Sequence, residues 1–433
     1  MEHMVLAAIV FGLTYLVIVS ERFNRTAVAL SGALLMILLG ILSQDQAIET
    51  IDFNTLGLLI GMMILVNILR QTGAFRYAGI HTARLAGGRP WLVMLGFALF
   101  TALASAFLDN VTTVLLMVPV TLTIAEHMEV DARPMLIAQI IASNIGGTAT
   151  LIGDPPNILI GSAAGLTFID FLANLTPAVL FILGMLVVVM WLTWGRKAPT
   201  GPGLAALADL DEKSAITSWP LLYKSLAVLG LTLLGFLMHG FLHLEPATVA
   251  LGGATLLLLI GGANVHRALE EVEWGTVLFF VGLFIMVGAL HRVGLLDRAA
   301  QLVVDKTGGN LVVTTMAILW FAAFASAIVD NIPAVASLVP MVLAVARVLH
   351  PNVPDEILTR LPDVLPFWWA LALGACLGGN ATIVAASANV VVAGVMNRHG
   401  QKITFLGFLR VGLPVTLISL VMSSVYLYLR YLR

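Results

Sequence analysis

Apolar runs long enough to cross a hydrocarbon core, about 17 to 25 residues, recur along the whole of this 433-residue chain. Lipid offers no partners to backbone N–H and C=O groups, so runs of this length fold as helices that satisfy themselves. Composition agrees: 60% of residues are hydrophobic, 11% are charged and the mean hydropathy is +1.01, outside the range of soluble domains. No stretch remains for a soluble domain. The start, Met1-Glu2-His3-Met4, is acidic and has no small-residue cleavage site, so the first run is expected to stay as a helix rather than leave as a signal peptide.

The apolar segments fall at 4–20, 26–43, 55–70, 90–126, 134–163, 168–195, 225–243, 247–262, 276–290, 310–347, 366–396 and 405–429. Those at 90–126 and 310–347 are too long for one crossing and carry Asp-Asn in the middle, which predicts re-entrant hairpins. Ten crossings then remain. The 22 Lys and Arg divide unevenly: 15, from Arg22 and Arg25 to Arg410, fall in loops on one side, and 7, from Arg292 to Arg433, on the other. The positive-inside rule makes the first side cytoplasmic and places both termini outside, in a plasma (inner) membrane. The polar stretch 196–224, with Lys-Ala-Pro-Thr-Gly-Pro-Gly and Asp-Leu-Asp-Glu-Lys, reads as a cytoplasmic linker.

The two halves are related. A shift of 221 residues superposes Ala104-Ser105-Ala106-Phe107-Leu108-Asp109-Asn110 on Ala325-Ser326-Ala327-Ile328-Val329-Asp330-Asn331, and pairs Glu49 with Glu270, Gly61 with Gly282, Gly73 with Gly294 and Pro119 with Pro340. A shift of 232 superposes Gly146-Gly147-Thr148-Ala149-Thr150 on Gly378-Gly379-Asn380-Ala381-Thr382, and Asn157 on Asn389. The expected units are therefore repeat 1 at 1–195 (hairpin 90–126, broken helix 134–163) and repeat 2 at 225–433 (hairpin 310–347, broken helix 366–396). Each has five spans and a hairpin. An odd number of spans inverts the second copy, and inverted repeats with interrupted helices are the pattern of secondary transporters, whose sites lie near the midplane.

Chemistry concentrates at the interruptions. Asp109, followed by Asn110, Thr112 and Thr113, and Asp330, followed by Asn331, place carboxylates at membrane depth, where they cost several kcal/mol and mark functional sites. Asp and Asn also suit helix N-caps, which a buried turn needs. The run Ser143 to Asn157, with Asn144, Thr148, Thr150, Asp154 and the pair Pro155-Pro156, cannot remain one helix. Its unwound carbonyls become ligands for ions or polar solutes, although the glycines equally allow close helix packing. The matching run through Asn380, Thr382, Ser387 and Asn389 is expected to break more gently, and Ala386 stands where the first copy has Asp154. The expected coupling set is Asp109, Asp154 and Asp330. No Arg, Lys or His lies in the matched core segments.

Other chemistries find no support. Cys376 is the single cysteine, so a disulfide within the chain and a multi-thiolate metal site are excluded. No His-x-x-x-His spacing and no phosphate-binding Gly-x-x-x-x-Gly-Lys-Ser/Thr loop occurs, so the chain is not expected to be an enzyme or to hydrolyse ATP. It needs no cofactor. Energy has to come from an ion gradient, with H+ as the coupling ion and Na+ the alternative, or from an ATPase subunit docked on the linker. The expected partners are the bilayer and a small inorganic solute or ion; nothing points to nucleic acid.

The tips around Asp109-Asn110 and Asp330-Asn331 and the run Ser143–Asn157 resemble the ion transporter superfamily, most strongly the arsenite permease (ArsB) and pink-eyed-dilution P-protein branch with its citrate-transporter-like domain. NhaD-type sodium-proton antiporters and divalent anion-sodium symporters are more distant. The resemblance covers almost the whole chain. It implies an all-α elevator-type homodimer, in which a body of hairpins and broken helices slides against a fixed scaffold. In the carboxylate symporters the tips read Ser-Asn-Thr; Asp109 and Asp330 occupy the serine positions here, which suits a cation, a proton or a neutral polyhydroxy solute better than a dicarboxylate. Arsenite or antimonite efflux by proton antiport is the leading expectation from this resemblance. A sodium-proton antiporter and a sodium-coupled anion carrier are the alternatives.

Overall fold

The computed structural model describes residues 2–20, 22–197, 203, 207, 210–262 and 264–433, which form helices and no strand. The first half contributes α1 Glu2–Val19, α2 Arg25–Leu38, α3 Phe53–Gln71, α4 Ala74–Leu85, α5 Pro90–Phe107, α6 Asn110–His127, α7 Ala132–Gly147, α8 Pro155–Ala164 and α9 Thr176–Thr193. The second contributes α10 Trp219–Leu242, α11 Pro246–Gly261, α12 Trp274–Arg292, α13 Leu295–Thr307, α14 Leu311–Val329, α15 Asn331–Leu349, α16 Leu365–Gly378, α17 Ser387–Arg398 and α18 Phe405–Tyr431. Each helix of the first half has its counterpart nine numbers later. The two short helices Gln44–Glu49 and Val265–Glu270 correspond in the same way.

Packing repeats with the order. Helices α1–α3 and α10–α12 form one layer, in which α3 crosses α11 and α2 crosses α12. The hairpins α5/α6 and α14/α15 pack on the interrupted pairs α7/α8 and α16/α17 to form a second body, flanked by α9 and α18. Glycines at matched positions make the closest crossings. A Cβ at Gly61 or Gly282 would press on the backbone of Ala250 or Ala29, and one at Gly146 or Gly378 on the carbonyl of Ala102 or Ala323.

Among the described residues, ten helices are long and apolar enough to cross a membrane alone, the four hairpin helices included. The hairpins nevertheless stop at the depth of the breaks. Asn110, the first residue of α6, donates to Asn144 near the end of α7 (3.1 Å), and α7, 16 residues or about 24 Å long, ends there. Tip and break are level.

Several expectations change. The segment 168–195 divides: the helix Phe168–Asn174 turns 116° from α8, and the crossing begins only at Thr176. The amphipathic helices α4 and α13 lie where the sequence reads as loops, because their polar faces dilute the apolar signal over 12 and 13 residues. The second broken helix does not break more gently. Residues 379–386 are unwound, as are 148–154 in the first, so proline is not required. Of the linker 196–224, residues 198–202, 204–206, 208 and 209 lie outside the described residues. From Leu210 the chain lies against α3 and α4: Arg84 donates to Leu210 O (2.7 Å), Thr217 N to Thr72 O (3.0 Å) and Thr217 Oγ1 to Gln71 O (2.6 Å). Helix α10 has begun by Trp219, within the predicted linker.

Candidate functional site

Each hairpin tip is built by an aspartate cap. At the first, Asp109 Oδ2 accepts from Thr112 N and Thr112 Oγ1, both at 2.8 Å. The second tip is the single residue Asp330, at φ 91° and ψ 143°, a conformation essentially closed to side-chain-bearing residues that costs about 1–3 kcal/mol. Its Oδ1 accepts from Ile332 N (3.2 Å). The strained turn lets α14 pass into α15 with Asp330 as the one linking residue.

The unwound stretches are held by their own polar side chains. Asn157 Nδ2 donates to the carbonyls of Thr148 (3.2 Å) and Thr150 (2.8 Å), and Asn389 Nδ2 to those of Gly379 (2.7 Å) and Thr382 (2.9 Å). Thr150 and Thr382 each tie their break to the adjoining hairpin, at Ala106 O and at Ala327 O (2.9 Å). Thr148 returns to Asn144 O (2.7 Å). These groups satisfy backbone that lipid would leave bare.

The two breaks and two tips meet in one buried centre. Asn144, 0% exposed, accepts from Asn110 and donates to Asn380 Oδ1 (2.9 Å) and Asn389 Oδ1 (3.1 Å), joining the repeats. Asn331 Nδ2 donates to both oxygens of Asp154 (3.0 and 3.1 Å). Cys376 Sγ lies 3.6 Å from Asn157 Oδ1. The inequality of the halves is visible here: Asn144 and Asp154 of one repeat stand opposite Cys376 and Ala386 of the other. Asp154 is wholly buried, and no cation among the described residues pairs with it. Thr113 Oγ1, in the first turn of α6, is buried without a partner.

One residue that meets the candidate site escapes the sequence reading. Arg25, placed by the loop count among the cytoplasmic loop charges, opens α2 and sends Nη1 to Asp330 Oδ2 (3.2 Å) and Ser387 Oγ (2.6 Å). Ser387 Oγ also donates to Asp330 Oδ2 (2.7 Å), and the guanidinium sits 5.3 Å from the Phe279 ring centroid. The centre is therefore not free of cations. Tyr15 of α1 reaches the same hairpin, donating to Pro333 O (2.9 Å) and meeting Ser337 Oγ (2.5 Å). The available signal was the repeat itself, since Arg25 and Tyr15 align with Pro246 and Phe236. A cavity of about 320 Å³ opens onto Asp330 between Phe23, Arg25, Phe279 and Ser387. The space at Asp109, closed by Leu59, Met62 and Met63, is only about 20 Å³.

Inverted repeats whose interrupted helices converge on a buried polar centre define a membrane transporter. The chain belongs to the citrate transporter family (CitMHS), whose model matches residues 15–374. An uncharacterized transporter of Mycobacterium tuberculosis is 44% identical to it over 99% of this chain and 98% of its own length. A 46 kDa membrane protein of Mycobacterium leprae is 43% identical over 99% of both. The human P protein is 33% identical over 95% of this chain, which spans 58% of that longer protein. The crystal structure of the Alcanivorax borkumensis YdaH transporter shares the fold, with a TM-score of 0.59 at 16% identity, covering 92% of this chain and 87% of that one.

Proposed function

We infer that this chain is a secondary active carrier that exports a small inorganic solute, arsenite or antimonite as the neutral trihydroxide, in exchange for protons. The observation that carries this reading is the charge of the centre: three carboxylates, Asp109, Asp154 and Asp330, lie near enough to interact, and among the described residues only Asp330 is paired with a cation, the guanidinium of Arg25. An unpaired carboxylate at this depth has to be met by a proton or a bound cation. A dicarboxylate or citrate would add negative charge where Arg25 is already engaged, so the citrate of the family description is not the cargo favoured here. A neutral trihydroxide can donate to Asp and Asn oxygens and accept from the free hydroxyl of Thr113.

Sodium-proton antiport is the second reading, supported by the pair of oxygens that Asp330 Oδ2 and Ser387 Oγ, 2.7 Å apart, present to the cavity. In either case the second body would slide past the layer α1–α3/α10–α12 as an elevator, in a homodimer of the plasma membrane with both termini outside. Two of the seven basic residues assigned to the outer side have structural partners. Arg430 Nη2 donates to Ala173 O (3.1 Å), and Arg360 Nη2 to Gly165 O.

Flux into everted vesicles tests the choice. Arsenite uptake that a protonophore abolishes and sodium leaves unchanged is expected. If sodium alone dissipates the pH gradient and arsenite has no effect, the second reading replaces the first.

A further inference from the structure

The two hairpin tips are equivalent by the repeat and unequal in their surroundings. Asp330 faces a cavity of about 320 Å³, and Asp109 one of about 20 Å³. The first layer also supplies a cation to Asp330 alone, because the position that mirrors Arg25 is Pro246. Arg25 is seated for this contact. Asn24 caps the helix that it opens, through Thr26 N (3.0 Å) and Ala27 N (3.1 Å), the Phe279 ring lies beside its guanidinium, and Ser387 holds the same Nη1 that faces Asp330. The guanidinium thus occupies the oxygen cluster, Asp330 Oδ2 with Ser387 Oγ, that an incoming monovalent cation or proton would use.

We propose that Arg25 is a tethered counter-cation that holds the second tip against the first layer and competes with the coupling ion for Asp330. Resting on the reading of the chain as a proton- or sodium-coupled carrier, this names the element that regulates its site. Arg25 has to swing away before the ion binds, and its return expels the ion. Because no described cation pairs with Asp109, the competition acts at one tip only. The other charged and titratable groups around Asp330 and Arg25 are Asp154, held through Asn331, Glu273 at the head of α12, Asp109 beyond it, and Tyr15 on α1.

The test titrates the purified full-length protein by infrared spectroscopy, following the carboxylic acid C=O band that disappears in Asp330→Asn. Loss of a neighbouring positive charge favours the protonated carboxyl, so the midpoint of this band in Arg25→Gln should move to higher pH, with the proton concentration at half-saturation falling roughly three- to tenfold. Arg25→Lys keeps the charge without the planar fork and should move it less. It also serves if the glutamine variant folds poorly. In vesicles, the proton or sodium concentration that half-saturates flux should fall by the same factor, and Arg25→Gln should add no shift on an Asp330→Asn background. An unmoved midpoint in both variants, with only the maximal flux reduced, overturns the proposal and leaves Arg25 a structural clamp. Absence of coupled flux in the wild type would instead sink the transport reading, while the infrared midpoint still decides the role of Arg25.

Discussion

Asp109 and Asp330 are helix caps and charges at once, and substitution separates the two roles. Asn at position 109 can still accept from Thr112 N but cannot ionise. Asp109→Asn should therefore fold and reach the membrane normally while proton-coupled flux is lost; unchanged flux would reduce Asp109 to a cap. Cys376 lies against the centre, with its thiol on Asn157 at 3.6 Å and beside Asp154 and Thr148, and a serine hydroxyl can keep these hydrogen bonds, so Cys376→Ser should leave arsenite efflux in vesicles intact. Loss of efflux there would show that the thiol binds arsenic. The amide of Asn157 holds unwound backbone through the carbonyls of Thr148 and Thr150. Asn157→Ala should lower the thermal stability of the detergent-purified protein by about 1–3 kcal/mol.

Among elements, the hairpins and the broken helices form one unit. The hairpin helix α5 lies on α7 at Gly146, and α14 lies on α16 at Gly378, so closely that a methyl group meets a backbone carbonyl rather than a side chain that could turn away. Gly378→Ala should cost about 1–3 kcal/mol, as overpacking does, with the loss read as a lower melting temperature in detergent. A stability equal to wild type would mean that α14 and α16 can separate slightly at no cost. The amphipathic helices α4 and α13 pack on α6 and α15, joining each hairpin to the surface from which it enters.

For the whole molecule, the contact of Tyr15 with Ser337 joins the first layer to the second hairpin, and a sliding movement has to break it. With Cys376 replaced by Ser, the pair Tyr15→Cys and Ser337→Cys should be bridged by a short bifunctional thiol reagent. Elevator transport predicts that bridging stops flux and that cleaving the bridge with reductant restores it. Full flux with the bridge intact would show that the two bodies stay fixed. The cavity lined by Glu49, Asp52, His291 and Arg292, about 820 Å³, lies between the same two bodies, so there is room for relative movement.

Two inverted halves, the hairpins, the aspartates at their tips and an unwinding within Ser143 to Asn157 were all legible in the chain. Lipid forces helices, a fixed offset exposes a duplication, and Pro-Pro or Asp-Asn within apolar sequence has few physical outcomes. The amphipathic α4 and α13 were not legible, since a short polar-faced helix and a charged loop have similar composition. Neither was the full second break, because what holds it open is a set of side-chain bonds from Asn389 and Thr382 rather than a proline. Which polar groups meet was decided only in three dimensions. Asn144 joins Asn380 and Asn389 across more than half the chain, and Arg25 leaves an apparent loop to meet Asp330, because the inversion of the second repeat brings residues distant in sequence to the same depth.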